Sequence, residues 1–222
     1  MARKTLILGA SGGIGSALAR ACRAQGDVVT TLSRRGDGFD LMDEIGVKRH
    51  LAALDGPFER IVIATGALEI KGATPEKTIR AVGQQAMLDQ FALNAVGPAL
   101  VLAHAPDLLP LDRPAVLSAL SARVGSIGDN RIGGWISYRS AKAALNQIVH
   151  TAAIELARTH PESICVSLHP GTVATPFTEK YLGRHPAVEP EEAAANLLRV
   201  MEGLRSEDTG GFFDWAGKPV PW

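Results

Sequence analysis

A chain of 222 residues and 23.4 kDa can bury a continuous core without disulfides or metal. Its 46% hydrophobic and 21% charged residues are those of a globular fold, not a disordered or fibrous one. The 23 basic residues balance 23 acidic ones, which removes the electrostatic footprint of a nucleic-acid binder or a polybasic membrane anchor. Cys22 and Cys165 stand apart, which excludes a zinc ribbon and a disulfide framework and suits a reducing compartment. Leu6-Ile7-Leu8 is too short for a signal-peptide core, and the longest apolar stretch, 95–105, is interrupted by Gly97, Pro98 and His104. The composition therefore predicts a cytoplasmic protein of one domain, 1–222, whose partners include neither nucleic acid nor membrane.

In chain order, an apolar run at 5–8 predicts a first strand, and the Ala-rich segment 14–24 a helix. A second strand follows at 28–32, then a vestigial strand at 38–41 and a helix at 44–54 with apolar residues at 45, 47, 51 and 54. Runs at 61–64, 115–117 and 164–168 predict further strands, separated by long helical segments at 84–104 and 138–157. A helix at 191–204 opens after Pro190, and 211–215 supplies the last strand. Strands this short and this apolar are buried on both faces, and their alternation with helices predicts an α/β fold: a doubly wound, Rossmann-like parallel sheet with helices on both faces.

Directly after the first strand comes Gly9-Ala10-Ser11-Gly12-Gly13-Ile14-Gly15, and then a helix. Glycines at such a junction let the chain reverse tightly and let backbone N–H groups approach a diphosphate, whose charge the helix N-terminus favours. The spacing, with Gly9, Gly13 and Gly15 as its frame, predicts a dinucleotide. At the end of the second strand stand Ser33, Arg34 and Arg35, and no acid occurs before Asp37. An acid there would bind a free ribose 2′-hydroxyl, whereas a guanidinium fork suits a 2′-phosphate. NADP(H) is therefore favoured, with NAD(H) left open, as is a merely solvated pair of arginines.

Tyr138 and Lys142 are four residues apart at the start of a helical segment and so share a face. Tyrosine is a poor acid or base near neutrality unless a nearby cation stabilises its phenolate, so the pair suits interconversion of a carbonyl and an alcohol. The same spacing arises by chance on exposed helices.

The glycine turn, Asn94, the serine-bearing strand end near 121, Tyr138-Arg139-Ser140-Ala141-Lys142 and His169-Pro170-Gly171-Thr172 come in the order of the short-chain dehydrogenase/reductase family. The chain resembles that family over its whole length. The stretch 120–146 is most similar to the C-factor/sniffer-type carbonyl reductases within it. The resemblance implies hydride exchange between NADP(H) and a small carbonyl or alcohol, with Tyr138 as acid/base. It implies that Lys142 holds the nicotinamide ribose and lowers the Tyr138 pKa, that Asn94 holds a proton-relaying water, and that Pro170, Gly171, Thr172 and Val173 meet the nicotinamide end. Gly66 fits the family's Asn-Asn-Ala-Gly segment, but Ala64 and Thr65 replace its asparagines. Asp40 and Leu41 stand in for the pair that meets adenine.

The family's substrate-orienting serine lies three residues before a glycine. Counting back from Gly125 gives Ala122, with Ser121 beside it and Ser126 just past the glycine. Ser121 is the first choice and Ser126 the second. The departure keeps a second reading open, a dinucleotide-binding sensor with little turnover. His104 and His169 are expected to be ordinary core or surface histidines, and Trp135, Phe177 and Trp222 to be core unless they line a substrate pocket. The segment 173–188, with Pro176 and Pro186, implies a short lid. The resemblance also implies a homodimer or homotetramer built on the helices at 84–104 and 138–157.

Overall fold

The computed structural model describes residues 2–175, 178–181 and 187–222. Pro176, Phe177 and Pro186, and with them part of the expected lid, lie outside the described residues.

Six parallel strands form one sheet: β1 (Lys4–Leu8), β2 (Val28–Leu32), β3 (Arg60–Ile63), β4 (Ala115–Leu120), β5 (Ser163–His169) and β6 (Phe212–Asp214), in the order β2-β1-β3-β4-β5-β6. Within β1, Leu6 and Leu8 enter one core layer and Ile7 the other; within β3, Ile61 and Ile63 oppose Val62 in the same way. This alternation along an apolar run is the reason a parallel sheet needs helices on both faces. α1 (Gly13–Ala24) and α8 (Pro190–Gly203) cover one face, with Leu18 and Leu197 fully buried. α3 (Glu44–Ala52), α5 (Gly97–Leu102) and α7 (Ile136–Leu156) cover the other, with Leu51, Val101 and Leu145 in that core. Each fully buried Leu contributes about 1.5–3 kcal/mol.

The order of strands reverses at β1, which has β2 on one side and β3 on the other. In such sheets the crevice beyond the strand ends at this switch point is where ligands bind.

Two expected elements take a different form. Residues 38–41 join no strand. β2 runs instead into a single helical turn, α2 (Arg34–Asp37), closed by Gly38 in the left-handed region at φ 69°. Phe39 and Leu41 then turn inward, each 3% exposed, so hydrophobic burial replaces strand pairing for this segment.

The long helix expected at 84–104 is divided. α4 (Gln84–Phe91) passes into a π-helical turn, Ala92–Val96, and then into α5, with the short α6 (Ala105–Leu108) after it. Pro98 is the physical cause. It has no N–H to bond the carbonyl four residues back, that of Asn94, so the helix widens around Asn94.

Candidate active site

Gly9 ends β1 with φ 94°, a conformation L side chains rarely adopt, and its N–H donates to the Leu32 carbonyl oxygen at 2.7 Å. That bond fastens the glycine turn to the end of β2. A Cβ on Gly9 would stand 2.7 Å from the Ala64 carbonyl oxygen, and one on Gly15 would collide with the Gly9 carbonyl, so both positions require glycine. α1 then starts on Gly12 with no side-chain cap and no acid in its first turn. The N–H groups of Gly13, Ile14 and Gly15 thus find no acceptor among the described residues. An uncapped N-terminus of this kind favours an anion, and these residues fit a dinucleotide diphosphate. Ser11 is exposed beside them.

Ser33, Arg34 and Arg35 follow β2 next to this turn. Ser33 caps α2, its Oγ accepting from the Gly36 N–H at 3.1 Å, while its own N–H donates to Asp37 Oδ2 at 2.8 Å. The nearest acid is thereby engaged with Ser33. Arg34 and Arg35 are exposed, with no ion pair among the described residues. Asp40, of the pair that the resemblance sets against adenine, accepts from the Met42 N–H, and the Leu41 side chain packs on Gly97 in the core.

A cavity of 910 Å³ opens at the strand ends. Gly12, Gly13, Ile14 and Gly15 form one wall, and Ala64, Thr65 and Gly66 its floor. Pro170, Gly171, Thr172 and Val173 close one side after β5, with Gly171 at φ 82° against the Trp215 ring. Ser121, Tyr138 and Lys142 line the wall opposite the glycine turn, and all three are buried.

Lys142 Nζ donates to the Leu120 carbonyl oxygen at 2.9 Å and lies 5.9 Å from the centre of the Tyr138 ring. Among the described residues no carboxylate pairs with it, and burial lowers its pKa to about 7. Burial raises the Tyr138 pKa well above the ordinary value, opposite to the expected effect of Lys142. The ammonium sits over the ring face and both groups are desolvated, so burial outweighs the cation. Asn94 lies behind this wall, fully buried. Its Oδ1 accepts from the Ala67 N–H at 3.2 Å, and its Nδ2 donates to the Ala67 carbonyl oxygen and to Gln90 Oε1. These bonds hold Gly66 against Lys142, where a Cβ on the glycine would reach 2.7 Å from Asn94 Oδ1.

The two candidate serines differ plainly. Ser121 Oγ is buried, lines the cavity and has no partner among the described residues. Ser126 Oγ donates to the Pro221 carbonyl oxygen and accepts from the Asp129 N–H, fixing a turn.

Sequence patterning missed several groups. Glu76, 7% exposed, accepts from the Ser137 N–H and hydroxyl and so caps the start of α7, one residue before Tyr138. No periodicity marks it, because it lies in an irregular loop. Arg139 donates from Nε to the Gly134 carbonyl and from Nη1 to that of Val124, tying the loop beside the cavity to α7. His169 is not an ordinary core histidine. It lines the cavity with Nδ1 unpartnered, and burial lowers its pKa to about 4. Trp135 lines the cavity too, at φ 53°, whereas Trp222 stacks on Phe212 elsewhere. His104 is half-buried and outside the site.

No family model matches the chain. It is 36% identical to the C-signal of Myxococcus xanthus over 140 residues, 61% of this chain and 78% of that protein. It is 28% identical over 229 residues, 98% of each chain, to 1-hydroxy-2-glutathionyl-2-methyl-3-butene dehydrogenase of Rhodococcus sp. strain AD45. Among solved structures, a Burkholderia multivorans protein assigned to the short-chain dehydrogenases/reductases, with bound NADP, superposes with a TM-score of 0.85 at 25% identity over all of both chains. The chain belongs to the short-chain dehydrogenase/reductase family. Among the described residues no helix is long and apolar enough to cross a membrane, and no cluster of side chains has the make-up of a metal site.

Proposed function

We propose that the protein, a single dinucleotide-binding domain over 1–222, is an NADP(H)-dependent oxidoreductase that interconverts a small carbonyl compound and its alcohol. One observation carries the reading: Tyr138, Lys142 and an unpartnered Ser121 hydroxyl face, across one cavity, a glycine-built helix N-terminus stripped of side-chain caps. The NADP-bound relative and the arginines after β2 support the choice of cofactor. The dehydrogenase named for a glutathionyl alcohol supports the reaction class.

In this reading the N–H groups of Gly13, Ile14 and Gly15 hold the diphosphate, Arg34 and Arg35 the 2′-phosphate, and residues 170–173 the nicotinamide end. The cofactor, when bound, supplies or accepts the hydride. Ser121 and Tyr138 hydrogen-bond the substrate oxygen, and Tyr138 gives up or takes its proton as the oxygen's charge changes. Lys142 binds the ribose and carries positive charge toward Tyr138. Asn94 keeps the loop at Gly66 in place with its side chain, and its carbonyl, which Pro98 cannot bond in α-helical fashion, is where a relaying water would be held. The complete Tyr138/Lys142/Asn94 set favours the enzyme over a dinucleotide sensor, the reading to which the C-signal relative points. We read the protein as cytoplasmic and as a homodimer or homotetramer paired through α4, the π turn, α5 and α7, where Leu88, Val96 and Ile154 are exposed apolar groups.

NADPH consumption measured across aldehydes and ketones tests the proposal. Turnover of at least one class is expected. NADPH binding without turnover of any would favour the sensor.

A further inference from the structure

The chain carries no formal net charge, yet its large cavity is lined by Lys77, Arg123, Arg131, Arg139 and Lys142 against a single carboxylate, Asp129. The imbalance lies on the substrate side. Lys77 lies in the loop after β3, Arg131 in the loop after β4 and Arg139 in the first turn of α7, none of them in the glycine turn.

Several acids near this wall are already engaged. Asp129 pairs with Arg123, and Asp214 faces the same guanidinium at 3.8 Å. Glu69 binds Lys180 at 3.0 Å and the Tyr181 hydroxyl at 2.7 Å. Glu76 is turned into the start of α7. Lys77, Arg131 and Arg139 pair with no carboxylate among the described residues, and none of the remaining residues is Asp or Glu. Arg139 is half-buried with only carbonyl oxygens as partners. The same cavity is also lined by the apolar and aromatic Leu68, Val124, Trp135 and Tyr181. Trp135 and Tyr181 meet edge to face at 5.4 Å. Lys77 and Arg131 are exposed along the cleft, and a neutral protein that gathers uncompensated positive charge at one cleft focuses its field there.

We propose that the substrate is an amphipathic carbonyl compound or alcohol whose far end carries an anion, a carboxylate in the simplest case, received by Lys77, Arg131 and Arg139 while its apolar body lies along Trp135 and Tyr181. This rests on the oxidoreductase reading above and adds the substrate class to it.

The test compares 4-carboxybenzaldehyde with its methyl ester, matched in carbonyl and ring and different in charge, in NADPH consumption at low salt and at about 0.5 M sodium chloride. The acid is expected to exceed the ester about tenfold in kcat/KM at low salt, mainly through KM, and to lose most of that advantage at high salt. In a Lys77→Gln/Arg131→Gln double variant the acid-to-ester ratio should fall about tenfold. An ester used as well as the acid, or a ratio indifferent to salt and to both substitutions, overturns the proposal. If neither aldehyde turns over, the wider panel of aldehydes and ketones decides the oxidoreductase reading, and tryptophan fluorescence still decides this one. Salt-sensitive binding of the acid with no matching binding of the ester supports it, and equal binding of the two overturns it.

Discussion

Replacing Ser121 with alanine should make the protein more stable and less active at once. Ser121 Oγ is buried without a partner among the described residues, at a residue 4% exposed. An unpaired buried hydroxyl costs about 1–3 kcal/mol of desolvation, and alanine removes that cost while leaving the Cβ in place. A gain of about 1 kcal/mol in unfolding free energy corresponds to about 2–4 °C in Tm for a chain of this size. A donor aimed at a developing oxyanion is worth about 10²–10³ in kcat, so the rate should fall by that order. Ser126→Ala should give the mirror image. It strands the Pro221 carbonyl and the Asp129 N–H, at a cost of about 1–3 kcal/mol, with little effect on the chemical step. Thermal unfolding by circular dichroism, paired with NADPH consumption, measures both quantities for both variants. A Ser121→Ala protein that is destabilised and fully active, with Ser126→Ala stable and slow, would refute the reasoning and transfer the role to Ser126.

Three further outcomes are expected. Arg34→Ala should weaken NADP(H) binding by about 1.5–3 kcal/mol and leave NAD(H) binding nearly unchanged, because only the former carries a 2′-phosphate; fluorescence titration of both cofactors measures the difference. Glu76→Ala should lower the unfolding free energy by about 1–2 kcal/mol in denaturant titrations, since it removes the acceptor at the start of α7, and should lower kcat more than it raises KM because Tyr138 follows at once. The folded-state pKa of His169, about 4, lies below its unfolded value near 6.5. The unfolded chain therefore takes up the proton first, and stability should fall as pH drops from about 6.5 toward 4; His169→Asn should flatten that part of the profile.

Much of this site is legible in the sequence because its chemistry is local. The glycine turn must sit between a strand and a helix, and Tyr138 and Lys142 share a face because helical spacing puts them there. The strands are legible through their unbroken apolar runs. What escaped is tertiary. Phe39 and Leu41 look like a strand in isolation, and only the position of α5, where Leu41 packs on Gly97, turns them into core. Helical periodicity across 84–104 hides the π turn, although Gly97-Pro98 carries its cause in plain view. Spacing could not choose the serine. The loop from β4 bends through a 3-10 turn at Arg123–Gly125, and a Cβ on Gly125 would lie 2.8 Å from that of Lys142. That close approach, not a count from the glycine, leaves Ser121 facing the cavity. Glu76 and Arg139 act through contacts between distant segments, for which no single stretch of sequence holds a pattern.

The central claim is that Tyr138 transfers the substrate proton. Tyr138→Phe keeps the ring and its edge-to-face contact with Trp135 at 6.4 Å and removes only the hydroxyl. On a carbonyl substrate that the unsubstituted protein reduces, single-turnover NADPH oxidation by the Tyr138→Phe variant should slow by about 10²–10⁴ while NADPH affinity stays within about twofold. A Tyr138→Phe protein that oxidises NADPH at the unsubstituted rate would contradict it.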